Sequence, residues 1–168
     1  MQHLQHLNKK TYLSELQKTI LIILKIVKKM KALNPYLTFN GNTEEAFNFY
    51  KSVLGGDFTM VMRYKDVPAE HQMGESDVNK IMHIGLPSGQ SILMGSDSPG
   101  MYGDVTMGTN FQISISAESK EEADRLFQGL SAGGKATMPM ENTFWGDYFG
   151  MLTDKFNVHW MVNFELPK

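Results

Sequence analysis

The 168-residue sequence contains no cysteine. That absence removes thiol nucleophiles, disulfide frameworks and thiolate metal sites together, and it fits a reducing compartment. An excess of one charge is missing too. Sixteen Lys and Arg face eighteen Asp and Glu, for a net charge of -2, so no long-range field gathers nucleic acid or an anionic membrane, and neither is expected as a partner. A membrane-length apolar run is lacking as well. The stretch ILIILKIV, Ile20 to Val27, is interrupted by Lys25 and falls far short of the roughly 20 residues that a span requires. It is followed by Lys28 and Lys29, where a secretory signal would place a small-residue cleavage site. The expected location is therefore cytoplasmic. Glycine-rich pieces such as GSDSPGMYGD, Gly95 to Asp104, carry neither the Gly-Lys-Ser/Thr of a phosphate loop nor a dinucleotide fingerprint, and read as a linker.

What is present starts with a distinct N-terminal segment. Leu13, Leu16, Ile20, Ile23, Leu24 and Val27 recur at three- and four-residue spacing, the pattern of an amphipathic helix that could pack on the body or on a partner. Met30 opens MKALNPYLTFNGN, which would itself serve as a start, so residues 1–29 are read as an extension and residues 30–168 as the domain. A chain of this size buries most of its apolar surface without staples.

Beyond Met30 the chain repeats itself. TEEAFNFYKSVLGGDFTM, from Thr43, has a counterpart in KEEADRLFQGLSAGGKATM, from Lys120, with the Glu-Glu-Ala triplets 77 residues apart and the Gly-Gly pairs 78 apart. Each copy follows a strand-like segment, YLTFN or NFQISIS. Each then carries a helical apolar stripe: Ala46, Phe49, Tyr50, Val53 and Leu54 in the first, and Ala123, Leu126, Phe127 and Leu130 in the second. Gly55-Gly56 and Gly133-Gly134 supply the freedom to stop each helix. Three strands follow each time: FTMVMRY, KIMHIGL and SILMG, then ATMPM, a segment around DYFGMLTD, and VHWMVNFEL. Pro87 to Gln90 form a tight turn, and the polar stretch Lys65 to Asn79 a long loop that could act as a lid. The predicted fold is α+β: two tandem βαβββ modules, about 34–97 and 108–166, with helix-covered faces paired and mixed sheets curved around a cleft.

This layout, with NPYLTFNGNTEEAFNFYKSVLGG at the front and ENTFWGDYFGMLTDKFNVHWMVN at the back, resembles the vicinal-oxygen-chelate superfamily of glyoxalases, bleomycin-resistance proteins and extradiol dioxygenases, and within it the PhnB-like group. The resemblance runs from Lys31 to Lys168. It implies a homodimer that binds a small-molecule ligand between its modules. Enzymes of that superfamily hold a divalent metal on the first and last strands of each module, and the corresponding positions here are Pro35, then Gly95 or Ser96 with Asp97 just beyond, then Asn110, then Met161 or Asn163. These are poor donors for such an ion. The expectation is thus a small-molecule-binding domain with no metal cofactor, the alternative being a metal-dependent lyase, isomerase or transferase that uses a divalent metal on His83, His159 and Glu141. Relatives of this group have carried a label as ubiquinone-pathway methyltransferases, which would need a doubly wound sheet that this pattern lacks.

The segment 141–160 concentrates aromatic and polar groups. Trp145, Tyr148 and Trp160 offer broad faces with a polar handle, suited to stacking on a flat ligand, with Asp147, Asn110 and Asn163 orienting it. Core packing is the competing reading for each tryptophan. His83 and His159 lie on strands and read as structural or cleft-lining, His71 lies in the long loop, and His3 and His6 fall in the extension. Glu141 and Asp147 could form an acid/base pair or a solvated turn. The thirteen methionines could fill the core or make an adaptable cleft wall.

Overall fold

A computed structural model describes residues 11–19, 32–68, 70 and 77–167. The chain divides into two units, residues 1–33 and 34–168. In the first unit, residues 11–19 form a helix, α1, with Leu13 and Leu16 exposed. The rest of the expected amphipathic stripe, Ile20 to Val27, lies outside the described residues, as do His3 and His6.

The second unit is the duplicated body. Its elements run β1 (Tyr36–Phe39), α2 (Thr43–Leu54), β2 (Met60–Arg63), β3 (Ile81–Ser88), β4 (Ser91–Asp97), β5 (Ile113–Ser116), α3 (Lys120–Ser131), β6 (Lys135–Asn142), β7 (Asp147–Thr153) and β8 (His159–Glu165). Two mixed four-stranded sheets result, ordered β1-β4-β3-β2 (sheet A) and β5-β8-β7-β6 (sheet B). The order is the same in both modules, so the sequence repeat is also a repeat of topology. In each sheet the first strand pairs in parallel with the last, and the remaining pairs are antiparallel. The loop of Lys65 to Asn79 opens with a 3-10 turn, Tyr64–Asp66, while residues 69 and 71–76, His71 among them, lie outside the described set.

Helix starts are fixed by side chains. The Asp97 carboxylate, at the end of β4, accepts from Thr43 N and Gly41 N at 3.0 Å and from Thr43 Oγ1 at 2.6 Å, which occupies otherwise unpaired donors at the start of α2. Ser119 caps α3, its hydroxyl accepting from Glu122 N at 3.1 Å. Glu44, Glu45, Glu121 and Glu122 place negative charge in the first turns, where the helix dipole favours it.

Both helices cover sheet faces that feed one core. Phe47, absent from the predicted stripe, is fully buried beside Ala46 and Tyr50 on α2; Ala123, Leu126, Phe127 and Leu130 do the same on α3. The rings of Phe47 and Phe127 lie directly over Gly95 and Gly150, where an added Cβ would meet ring carbons at 2.6 and 2.9 Å. Gly129 of α3 likewise makes room for Val53 of α2, whose Cγ1 an added Cβ would meet at 2.7 Å. At the centre, Tyr50 reaches from α2 into the second module. Its hydroxyl donates to Asp154 Oδ2 at 2.9 Å, and its ring meets Trp160 edge-on at 5.4 Å.

Candidate ligand-binding face

Strand alternation assigns every residue of sheet B to one of two faces. Leu152, Trp160 and Val162 point to the helix-covered side and are at most 1% exposed. Residues opposite each other across a ladder share a face, so the registers define three rows on the helix-free side. One row carries Glu141, Phe149, Asn163 and Ser116; the next Met138, Met151, Met161 and Ser114; the last Lys135, Thr153 and His159.

The first row is extended by the β6–β7 hairpin. Thr143 holds that turn closed, its N–H and hydroxyl both donating to Asp147 O at 2.8 Å. Trp145 is thereby laid edge-on to Phe149, centroids 5.9 Å apart, with its indole N–H donating to Asp147 Oδ2 at 3.1 Å. Phe144 packs edge-on to Trp145 at 4.8 Å and is 98% exposed. Beside Phe149, Asn163 keeps its amide oxygen buried, with no hydrogen-bond partner among the described residues. Buried polar atoms are almost always paired, so this orphan acceptor requires an explanation.

At the other end, His159 Nδ1 lies 2.8 Å from Thr153 Oγ1. His159 and Asn110 share the lining of a pocket of about 100 Å³ with Leu37, Met107, Phe111 and Asn157, small against the several hundred Å³ usual for ligand cavities. The sequence pattern places Asn110 at the head of a strand. It lies before β5, because the parallel ladder with β8 begins only at Ile113 opposite Trp160.

Two expected site residues belong elsewhere. Trp160 is 1% exposed on the helix-covered side, its indole N–H donating to Asp154 Oδ2 at 2.8 Å; it is a core residue. Tyr148 also faces the helix, donating to Asp124 Oδ1 at 2.8 Å beneath Lys120 Nζ, 4.7 Å from its ring. The bond to Asp124 holds the Tyr148 hydroxyl above its ordinary pKa. In both cases strand parity decides, since Trp160 cannot share a face with Asn163, nor Tyr148 with Asp147.

His83 stands on sheet A, on the same helix-free face as its ladder neighbour Met62. The Tyr36 ring lies 5.8 Å from it, with the hydroxyl 3.5 Å from Nδ1. The alternative metal set of His83, His159 and Glu141 is therefore not assembled within the chain. His83 belongs to the other sheet, and Glu141 pairs with Phe149, four residues along β7 from His159's partner Thr153, or about 13 Å. Among the described residues no three His, Asp or Glu side chains form a group able to hold a metal. The positions that the resemblance marks for a metal do not fit one either. Asp97 is their only carboxylate, and it is 2% exposed with one oxygen bonded to Gly41 and Thr43 and the other to Ile81 N.

The motif of the glyoxalase/bleomycin resistance protein/dioxygenase superfamily matches residues 32–162. The chain belongs to that superfamily. It is 31% identical over 139 residues to Protein YjdN of Escherichia coli K12, covering 78% of this chain and 93% of that protein. Among solved structures it is similar to protein PA1353 from Pseudomonas aeruginosa, with 41% identity, a TM-score of 0.72 and coverage of 81% of this chain and 100% of that one. It is also similar to a Bacillus cereus PhnB protein described as a putative 3-demethylubiquinone-9 3-methyltransferase, at 25% identity and a TM-score of 0.63, covering 79% and 98%.

Proposed function

We propose that this superfamily member is a small-molecule-binding protein whose ligand lies on the helix-free face of sheet B. The observation that carries this reading is the buried, unpartnered amide oxygen of Asn163 beside Phe149. A ligand N–H or O–H donor would complete it, while Trp145 and Phe149 stack on a flat or apolar body and Asp147 holds the indole in place. Asn110 and His159 form a second polar end at the small pocket, and His83 with Tyr36 the polar group of sheet A.

The divalent metal chemistry of the superfamily's enzymes forms no part of this reading, because the donors at the corresponding positions do not suit such an ion. A methyltransferase activity, as in the description of the Bacillus relative, finds no support in two open mixed sheets that lack a doubly wound parallel core. The protein acts as a homodimer in the cytoplasm in this proposal; among the described residues no helix is long and apolar enough to cross a membrane.

The test is a thermal-shift screen of small aromatic compounds. Trp145→Ala and Asn163→Ala should each abolish the shift given by a hit while leaving the unliganded melting temperature within a few degrees, and Tyr148→Phe should leave the shift intact. An undiminished shift in both Trp145→Ala and Asn163→Ala would refute the assignment.

A further inference from the structure

The middle row of sheet B consists of methionine. Met138 stands opposite Met151 on β6 and β7, and Met151 opposite Met161 on β7 and β8. Directly opposed residues have Cβ atoms about 5 Å apart, and methionine is long, unbranched and flexible enough to bring its sulfur toward a neighbour. The three thioethers can therefore converge above Met151. The strand pairing itself is adjusted to put them there: the β6–β7 register shifts between Ala136 and Met138 and again between Met138 and Glu141. Such irregularities re-aim side chains and concentrate near functional sites.

We infer that the Met138–Met151–Met161 row binds a soft monovalent cation of the Cu(I) class. Thioether sulfur is a poor partner for hard or borderline divalent ions but a good one for Cu(I) and Ag(I). A row of thioethers that offers little to a hard divalent ion is thus suited to a soft monovalent one. This inference does not rest on the organic ligand proposed above; the two share a face but have separate probes.

The test uses the full chain in chloride-free buffer, with Ag(I) as probe and Mn(II) and Zn(II) as comparators, followed by the methyl resonances of methionine in NMR. One equivalent of Ag(I) should shift the methyls of Met138, Met151 and Met161 ahead of exposed Met101, and Mn(II) and Zn(II) should not. Because thioethers do not titrate, binding should persist at pH 5, where an imidazole site would be protonated. Met151→Leu should weaken the affinity at least tenfold, and the triple variant with leucine at 138, 151 and 161 should lose it. Uniform shifts over all methionines, loss of binding at pH 5, or unchanged affinity in Met151→Leu would each overturn the inference. The first two readouts need only the wild-type protein, so misfolding of a variant cannot shield it.

Discussion

Asp154 is the residue on which most of the interior converges. Its carboxylate is 3% exposed and accepts from Phe156 N at 2.8 Å, Val158 N at 2.9 Å, Tyr50 OH at 2.9 Å and Trp160 Nε1 at 2.8 Å, joining the turn before β8 to both modules. Replacing it by Asn sets an amide N–H₂ against donors, and we expect Asp154→Asn to lower stability by about 3 kcal/mol, measured by urea denaturation. Tyr50→Phe should cost about 1 to 2 kcal/mol by leaving one lone pair unmatched. The same tyrosine sets an alkaline limit. Burial first, and then the neighbouring Asp154 charge, raise its hydroxyl pKa far above the ordinary value of 10. The folded protein therefore keeps this proton above pH 10 while the unfolded chain releases it, so stability is complete below pH 10 and declines as pH rises beyond it. In Tyr50→Phe that part of the decline should vanish; an identical slope between pH 10 and 11.5 would show that another group is responsible. The role of Asp154 was not legible in the sequence. In the sequence Asp154 merely closes the strand-like segment DYFGMLTD, and nothing in its spacing points to a tyrosine more than a hundred residues earlier.

Among the elements, the helices were largely legible, because a repeated Glu-Glu-Ala start, an apolar stripe and a terminal Gly-Gly pair are local signals. What the helical pattern missed was Phe47, whose burial depends on Gly95 of a distant strand offering bare backbone. Gly95→Ala and Gly150→Ala should therefore each cost about 1 to 3 kcal/mol through overpacking against Phe47 and Phe127, read as a lower denaturation midpoint. A loss below 0.5 kcal/mol would mean that the rings can move aside. The strands were legible as existing but not in how they face. The candidate set Trp145, Tyr148, Trp160, Asp147 and Asn163 mixes both parities of β7 and β8, and only the ladder register separates Asp147 and Asn163 on the open face from Tyr148 and Trp160 beneath it. The orphan oxygen of Asn163 depends on its neighbours in three dimensions and leaves no trace in the sequence.

For the molecule as a whole, the duplicated sequence pattern carries the architecture, and the two copies share one core instead of forming two separate ones. They should unfold together, in a single calorimetric transition whose van't Hoff and calorimetric enthalpies agree. Residues 1–33 form a separate unit, and removal of the residues before Met30 should leave solubility and oligomeric state unchanged; aggregation or a change of mass would favour the docking reading of α1. The two tryptophans provide a reporter on each side of sheet B. Trp145 lies at the hairpin beside Phe149, whereas Trp160 is sealed under the helices. The measurement that tests the account most directly is a ¹H–¹⁵N NMR titration with a hit from the thermal-shift screen. We predict that the Trp145 indole and the Asn163 side-chain amide resonances shift while the Trp160 indole stays fixed. Movement of the Trp160 indole with Trp145 and Asn163 unchanged would contradict the account and place the ligand elsewhere.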